Sequence, residues 1–247
     1  MTMRSTEQLS GQKLNAPDGE AGHIRDFLFD AHRWVIRYLV VETGPGLGGR
    51  VVLLSPHALH AAEADDDPLR LNVTLKQIRS SPVIDLRKPL TREYEEDYYR
   101  HYGWRHYWQG DSLWGATGTP EPKPGPKPLV SRSRPATASA SVSAAATPTA
   151  DTAQPELNSS KAVTGYLLET SDGTDGHVSD FLLDPHSWAV LRLAVRLGHR
   201  LSGKEIEIPT TEVEKINWDL STVTIRLTRE GVSQCPTHVA PLHSSPP

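Results

Sequence analysis

The stretch GHIRDFLFDAHRWVIRYLVV, which begins at Gly22, has a second edition at Gly176 that reads GHVSDFLLDPHSWAVLRLAV. Residues 11–44 and 165–198 align without a gap at an offset of 154, and 15 of 34 positions are identical. The identities include Asp18/Asp172, Gly19/Gly173, His23/His177, Asp26/Asp180, Asp30/Asp184, His32/His186 and Trp34/Trp188. One deletion brings Pro56 onto Pro209. The offset then returns, setting Leu69, Leu71 and Val73 against Val223, Ile225 and Leu227, two runs whose alternation predicts strands, and Pro82 against Pro236. A repeat of this length means tandem domains, not the short period of a solenoid.

Within each copy the pattern is that of strands. Trp34, Ile36, Tyr38 and Val40 alternate with Val35, Arg37, Leu39 and Val41, as in a strand with one face inward. Asp18-Gly19 and Asp172-Gly173 signal tight turns between short strands. The fold class expected is all-β, with each copy closing into a small barrel that leaves no exposed sheet edge. Between the copies, residues 116–160 hold no Phe, Tyr or Trp, but eight of the 20 prolines and the run ATASASVSAAATPTA. Such a stretch buries too little apolar surface to offset its ordering entropy, so a disordered linker is expected.

The totals exclude several classes. Net charge is −4, and residues 161–247 carry 8 Lys/Arg against 11 Asp/Glu. That lacks the basic footprint of a protein that tracks a nucleic-acid backbone, which argues against nucleic acid as a partner. Cys235 is the only cysteine, so neither an internal disulfide nor a thiolate zinc cluster can form. The opening MTMRSTEQLSGQKL lacks the apolar core of a signal peptide, and the longest apolar runs fall short of a bilayer span. The expected location is the cytoplasm, peripheral to the inner membrane only through a partner.

No constellation of residues calls for catalysis. Asp30/His32/Trp34 and Asp184/His186/Trp188 could be proton-transfer pairs, yet no nucleophile or third orienting group accompanies either copy. The plainer reading is an Asp-stabilised turn whose Trp packs inward. His23 and His177 are single donors where zinc needs three or four. His57 and His60 share one side of a plausible helical turn but have no carboxylate motif beside them, and Asp65-Asp66-Asp67 lacks a calcium loop's spacing. The expectation is a non-enzyme with no catalytic residue, metal or cofactor.

Residues 91–110, TREYEEDYYRHYGWRHYWQG, hold seven of the 16 aromatic residues. Thr91 can cap a helix whose first turns are acidic, with Tyr94, Tyr98 and Tyr102 on one stripe and Gly103 at its end. Two readings stand side by side. The stripe packs back on the first copy, or Tyr94, Tyr98, Tyr102, Trp104, Tyr107 and Trp108 form a partner-docking surface. On the second reading, replacing Tyr98, Tyr102 and Trp108 by alanine removes a partner without unfolding the chain.

The Asp-Phe-Leu-x-Asp strand, its turn, Trp-x-Ile-Arg-Tyr-Leu-Val-Val, then Gly49-Arg50-Val-Val-Leu-Leu-Ser55-Pro56 and Ser81-Pro82 together resemble the PRC-barrel family, named for the cytoplasmic domain of the photosynthetic reaction centre H subunit. The second copy departs at Val190-Leu-Arg-Leu-Ala-Val195. The resemblance implies PRC-type barrels at 1–88 and 161–236; the composition and pattern of the rest add an aromatic helical appendage at 89–115, the linker at 116–160 and a disordered tail at 237–247. The function expected is a binding and assembly module that docks on a protein, a membrane complex among the candidates. The resemblance also implies two alternatives: a reaction-centre role in assembly or electron transfer, or a ribosome-maturation-type RNA adaptor.

Overall fold

The computed structural model describes residues 3–60, 69–121, 156–198 and 204–238. The first copy contributes β1 (Arg4–Ser5), α1 (Thr6–Leu9), β2 (Lys13–Ala16), β3 (Gly19–Asp30), β4 (Val35–Thr43), β5 (Val51–Leu54), α2 (Leu75–Arg79) and α3 (Arg92–Tyr102). The second contributes β6 (Leu157–Ser159), α4 (Ser160–Val163), β7 (Leu167–Thr170), β8 (Gly173–Leu183), β9 (Val190–Arg196), β10 (Glu205–Pro209), β11 (Val213–Asn217), β12 (Thr222–Ile225) and α5 (Arg229–Ser233). No described helix is long and apolar enough to cross a membrane.

The duplication reaches down to irregularities. The β3–β4 ladder shifts register between Ile24 and Asp26 and again between Leu28 and Phe29. The β8–β9 ladder shifts at the equivalent pairs, Val178/Asp180 and Leu182/Leu183. In both copies the backbone nitrogen that opens the late helix donates to the turn aspartate, Leu75 to Asp18 and Arg229 to Asp172. Gly22 explains its own repetition: with φ +142°, a Cβ there would sit 2.1 Å from the Glu42 carbonyl oxygen. Only glycine lets β3 and β4 approach so closely.

The sheets stay open. In the second copy the ladder runs β10-β9-β8-β7-β12-β11, and among the described residues no pairing joins β10 to β11. A 3-10 turn at Thr210–Glu212, entered from Pro209, separates those strands. In the first copy the returning segment Leu69–Val73, expected as a strand, keeps only two isolated bridges: Asn15 with Arg70 and Leu59 with Leu71. Thr74 then starts α2 with a reciprocal Gln77 capping box, which ends the extended run. The strand-rich duplicated architecture therefore stands and the closure does not.

The two copies are laced together by reciprocal exchange. β1 pairs with β8 and β6 pairs with β3, so each copy's leading segment lies on the other copy. Asp180 accepts from Thr6 Oγ1 at 2.6 Å and from the Glu7 backbone nitrogen at 3.0 Å. Its counterpart Asp26 accepts from Ser159 Oγ at 2.6 Å and from Ser160 Oγ at 3.2 Å. The two turns also meet. The Val190 nitrogen donates to the Trp34 carbonyl and the Ile36 nitrogen to that of Trp188, at 2.6 and 2.9 Å. Trp34 and Trp188 adopt left-handed backbone with φ 51° and 59°, a strained state for a bulky residue that these paired bonds hold in place. Phe29, Trp34 and Phe181 fill the seam with ring centroids 5.1–6.4 Å apart.

Three expected boundaries move. The linker does not extend to residue 160, because Leu157–Ser159 is paired with β3; residues 122–155 lie outside the described residues. Ahead of that stretch, Thr117 bridges Trp114. At the other end, Thr237 and His238 of the expected tail are paired, since Thr237 bridges Ile206 and the His238 nitrogen donates to Glu205. Residues 239–247 and Asp65-Asp66-Asp67 lie outside the described residues.

Candidate functional site

The repeated Asp-x-His-x-Trp turns are consumed by architecture. Asp30 Oδ1 accepts from the backbone nitrogens of His32 and Arg33, at 3.0 and 3.2 Å. Asp184 accepts from His186 and Ser187 in the same way, at 3.2 and 3.1 Å. Both histidine side chains point to solvent. His23 is exposed 3.9 Å from Glu42, and among the described residues no three His, Cys, Asp or Glu side chains gather as metal ligands would. His57 and His60 do not share a face. The 3-10 turn Pro56–Ala58 ends at an extended Leu59, which leaves His57 buried and His60 exposed.

The aromatic segment turns inward. Tyr98, Tyr102, Trp104 and Tyr107 are buried, while Tyr94 and Trp108 are half-buried. The Tyr102 and Trp104 rings stack at 4.4 Å, and Tyr98 meets Tyr38 edge-on at 5.3 Å. The six rings expected as a docking surface are thus corrected to a packing surface, with only Tyr94 and Trp108 at its margin. The segment packs on β4 where the register shift falls, between Ile36 and Tyr38, and Arg37 there is fully buried. Arg37 pairs with Asp30 at 3.1 Å, donates to the Leu113 carbonyl and lies 4.0 Å over the Tyr107 ring.

Two other titratable groups are enclosed here. Glu95 accepts from Tyr38 and Tyr107 hydroxyls at 3.0 and 2.9 Å. Burial raises its pKa, against the lowering effect of those hydroxyls and of Arg92 and Arg37. His57 is packed between Trp104 and Trp114, with Nδ1 3.0 Å from Ser55 Oγ. Burial first, and the Arg37 charge second, push its pKa down to about 4. The depressed value sets the sign. A neutral His57 stabilises fully above its unfolded value of about 6.5, and that stability fades as pH falls toward 4. The expected loss at pH 4 is about 3 kcal/mol. Urea unfolding of the native and His57→Gln proteins at pH 7 and pH 4 measures it: the native protein should lose more by about that amount, and equal losses would refute the assignment.

Open space lies elsewhere, at the seam between the copies. One cavity of about 380 Å³ sits between the exchanged segments and is lined by Thr6, Ser10, Ser160, Thr164 and Ser179 above Phe27. A second, of about 370 Å³, opens beside the Asp30 turn between Trp34, His32 and β11, where Ile216 and Trp218 line it. Glu156, Glu214 and Lys215 stand at its exposed margin. At the opposite turn Trp114 Nε1 donates to the Ser187 carbonyl at 2.7 Å, so the appendage packs against that side. No protein-family model matches the chain, and no curated protein is significantly similar to it.

Ile216 and Trp218 escape sequence reasoning. They lie where the first copy has no matching aromatic residue, and the groove they line exists only once the copies dock. The available signal was a tryptophan outside the repeated motif, followed by the exposed Asp219-Leu220 turn.

Proposed function

We propose that this protein is a non-enzymatic binding and assembly module that engages a protein partner at the seam between its two copies, and that each copy is a variant of the PRC-type barrel. The observation that carries the binding reading is the second cavity. Two half-buried tryptophans from different copies, Trp34 and Trp218, converge on it, and tryptophan is enriched among interface anchors. Around it the apolar surface continues through Tyr166, whose ring lies 6.1 Å from that of Trp218, to Leu167 and Leu220, 50% and 67% exposed. A grouped apolar surface with a polar margin is the usual mark of an interaction site. The shared register shifts and the two bridges that stand where β12 pairs with β7 and β11 support reading both copies as variants of one fold.

The test is affinity purification of the tagged protein from its own cells, native against Trp218→Ala, with folding checked by circular dichroism. A partner recovered with the native protein and lost with the variant supports the reading. A partner that a folded Trp218→Ala protein retains places the site elsewhere and refutes it.

A further inference from the structure

β11 ends its sheet. It pairs on one side with β12, and among the described residues no strand pairs with its other side. Each strand residue carries one N–H and one C=O, so a terminal strand leaves every second pair without a ladder partner. The opposite end of the same sheet is treated differently. There the Glu207 nitrogen donates to Pro236 and the His238 nitrogen to Glu205, so a returning segment covers β10. β6, across the cavity from β11, likewise pairs only with β3 among the described residues. Two strand edges without a described partner, one in each copy's sheet, therefore flank a cavity that holds two indole rings.

We infer that this groove takes an extended peptide segment of a partner protein, which adds as a strand to β11. The inference rests on the binding reading above and names the partner's form. Main-chain bonds to the free edge of β11 would supply affinity. Side chains at alternate positions, which point to one face, would supply specificity. The lining states what those side chains are. Trp34, Ile216 and Trp218 take apolar groups, while the carboxylates of Glu156 and Glu214, against the single ammonium of Lys215, favour a basic residue. A helical ligand would leave the edge unpaired, and the groove offers no long apolar stripe for one.

A phage library of random heptapeptides panned on the full chain tests this, followed by titration of the selected peptide and amide hydrogen exchange of the complex. The expected consensus alternates apolar with polar positions and carries at least one lysine or arginine. Exchange should slow at residues 213–217. Affinity should fall about tenfold or more in Trp218→Ala, an anchor truncation, and also in Glu214→Lys, which alters only an exposed charge. No enrichment over bare support, a proline-rich or helical consensus, or binding without protection at 213–217 would overturn strand addition. The two readings fail separately. A cellular partner lost with Trp218→Ala, alongside no protection by any extended peptide, leaves the binding function standing and removes the strand. A partner retained by that variant removes the groove itself.

Discussion

An Arg37→Ala protein is expected to be about 3–5 kcal/mol less stable than the native one, because the change leaves a buried Asp30 carboxylate without its counter-charge. Both partners are almost fully enclosed, with side chains 0% and 2% exposed, so water cannot take over the missing charge. The arginine also ties the appendage down through the Leu113 carbonyl and through the Tyr107 and Trp114 rings, 4.0 and 5.1 Å from its guanidinium. Limited proteolysis should accordingly cut the variant between residues 103 and 121 faster than the native protein. Chemical unfolding measures the stability. The control is the double variant Arg37→Met with Asp30→Asn, which removes both charges and keeps a side-chain acceptor for the turn. It should recover most of the loss, since apolar replacement of a buried pair is often neutral. A double variant as unstable as Arg37→Ala would mean that packing, not charge, dominates at this position.

Arg37 also shows how far the sequence could be read. The strand, its turn and the duplication were legible, because glycine and aspartate at fixed spacing encode turns locally and an offset of 154 copies them. The burial of Arg37 was not. Alternation says only that one face of the strand turns inward, and the cover over Arg37 comes from an element some seventy residues later. The second copy makes the point in reverse. Leu191 stands where Arg37 does, no aromatic appendage follows, and Leu191 remains 38% exposed. The exchange of leading segments was equally hidden. Asp26 and Asp180 read as repeated strand residues, and nothing local says that their partners Ser159 and Thr6 belong to the other copy. Closure of the barrels failed for a different reason. The alternation in Leu69–Val73 predicted a strand, but among the described residues it keeps only two isolated bridges, and β10 and β11 do not pair.

The second large effect concerns Tyr98, one of the rings read from the sequence as a docking residue. Tyr98→Ala is expected to cost about 3–5 kcal/mol, the range for emptying a well-packed aromatic site. The ring is fully buried, 5.0 Å from Tyr102, 5.3 Å from Tyr38 and 6.0 Å from Trp104, so no neighbour can fill the void without breaking its own contacts. Its hydroxyl accepts from the Ser55 nitrogen at 2.8 Å and donates to the Leu53 carbonyl at 3.2 Å. Tyr98→Phe keeps the ring and leaves the Ser55 nitrogen without an acceptor, an expected loss of about 1–3 kcal/mol. Trp108→Ala, at the half-buried margin of the cluster, should cost less than Tyr98→Ala. Thermal unfolding followed by near-ultraviolet circular dichroism ranks the three. Because β1 and β6 each bind the opposite copy, the Tyr98→Ala loss should appear as one transition moved to lower temperature for the whole molecule. Two separated transitions, with the second copy melting at its native temperature, would show that the exchanged segments do not couple the copies. A Tyr98→Ala protein of native stability would return the ring to the surface and reopen the docking reading of residues 91–110.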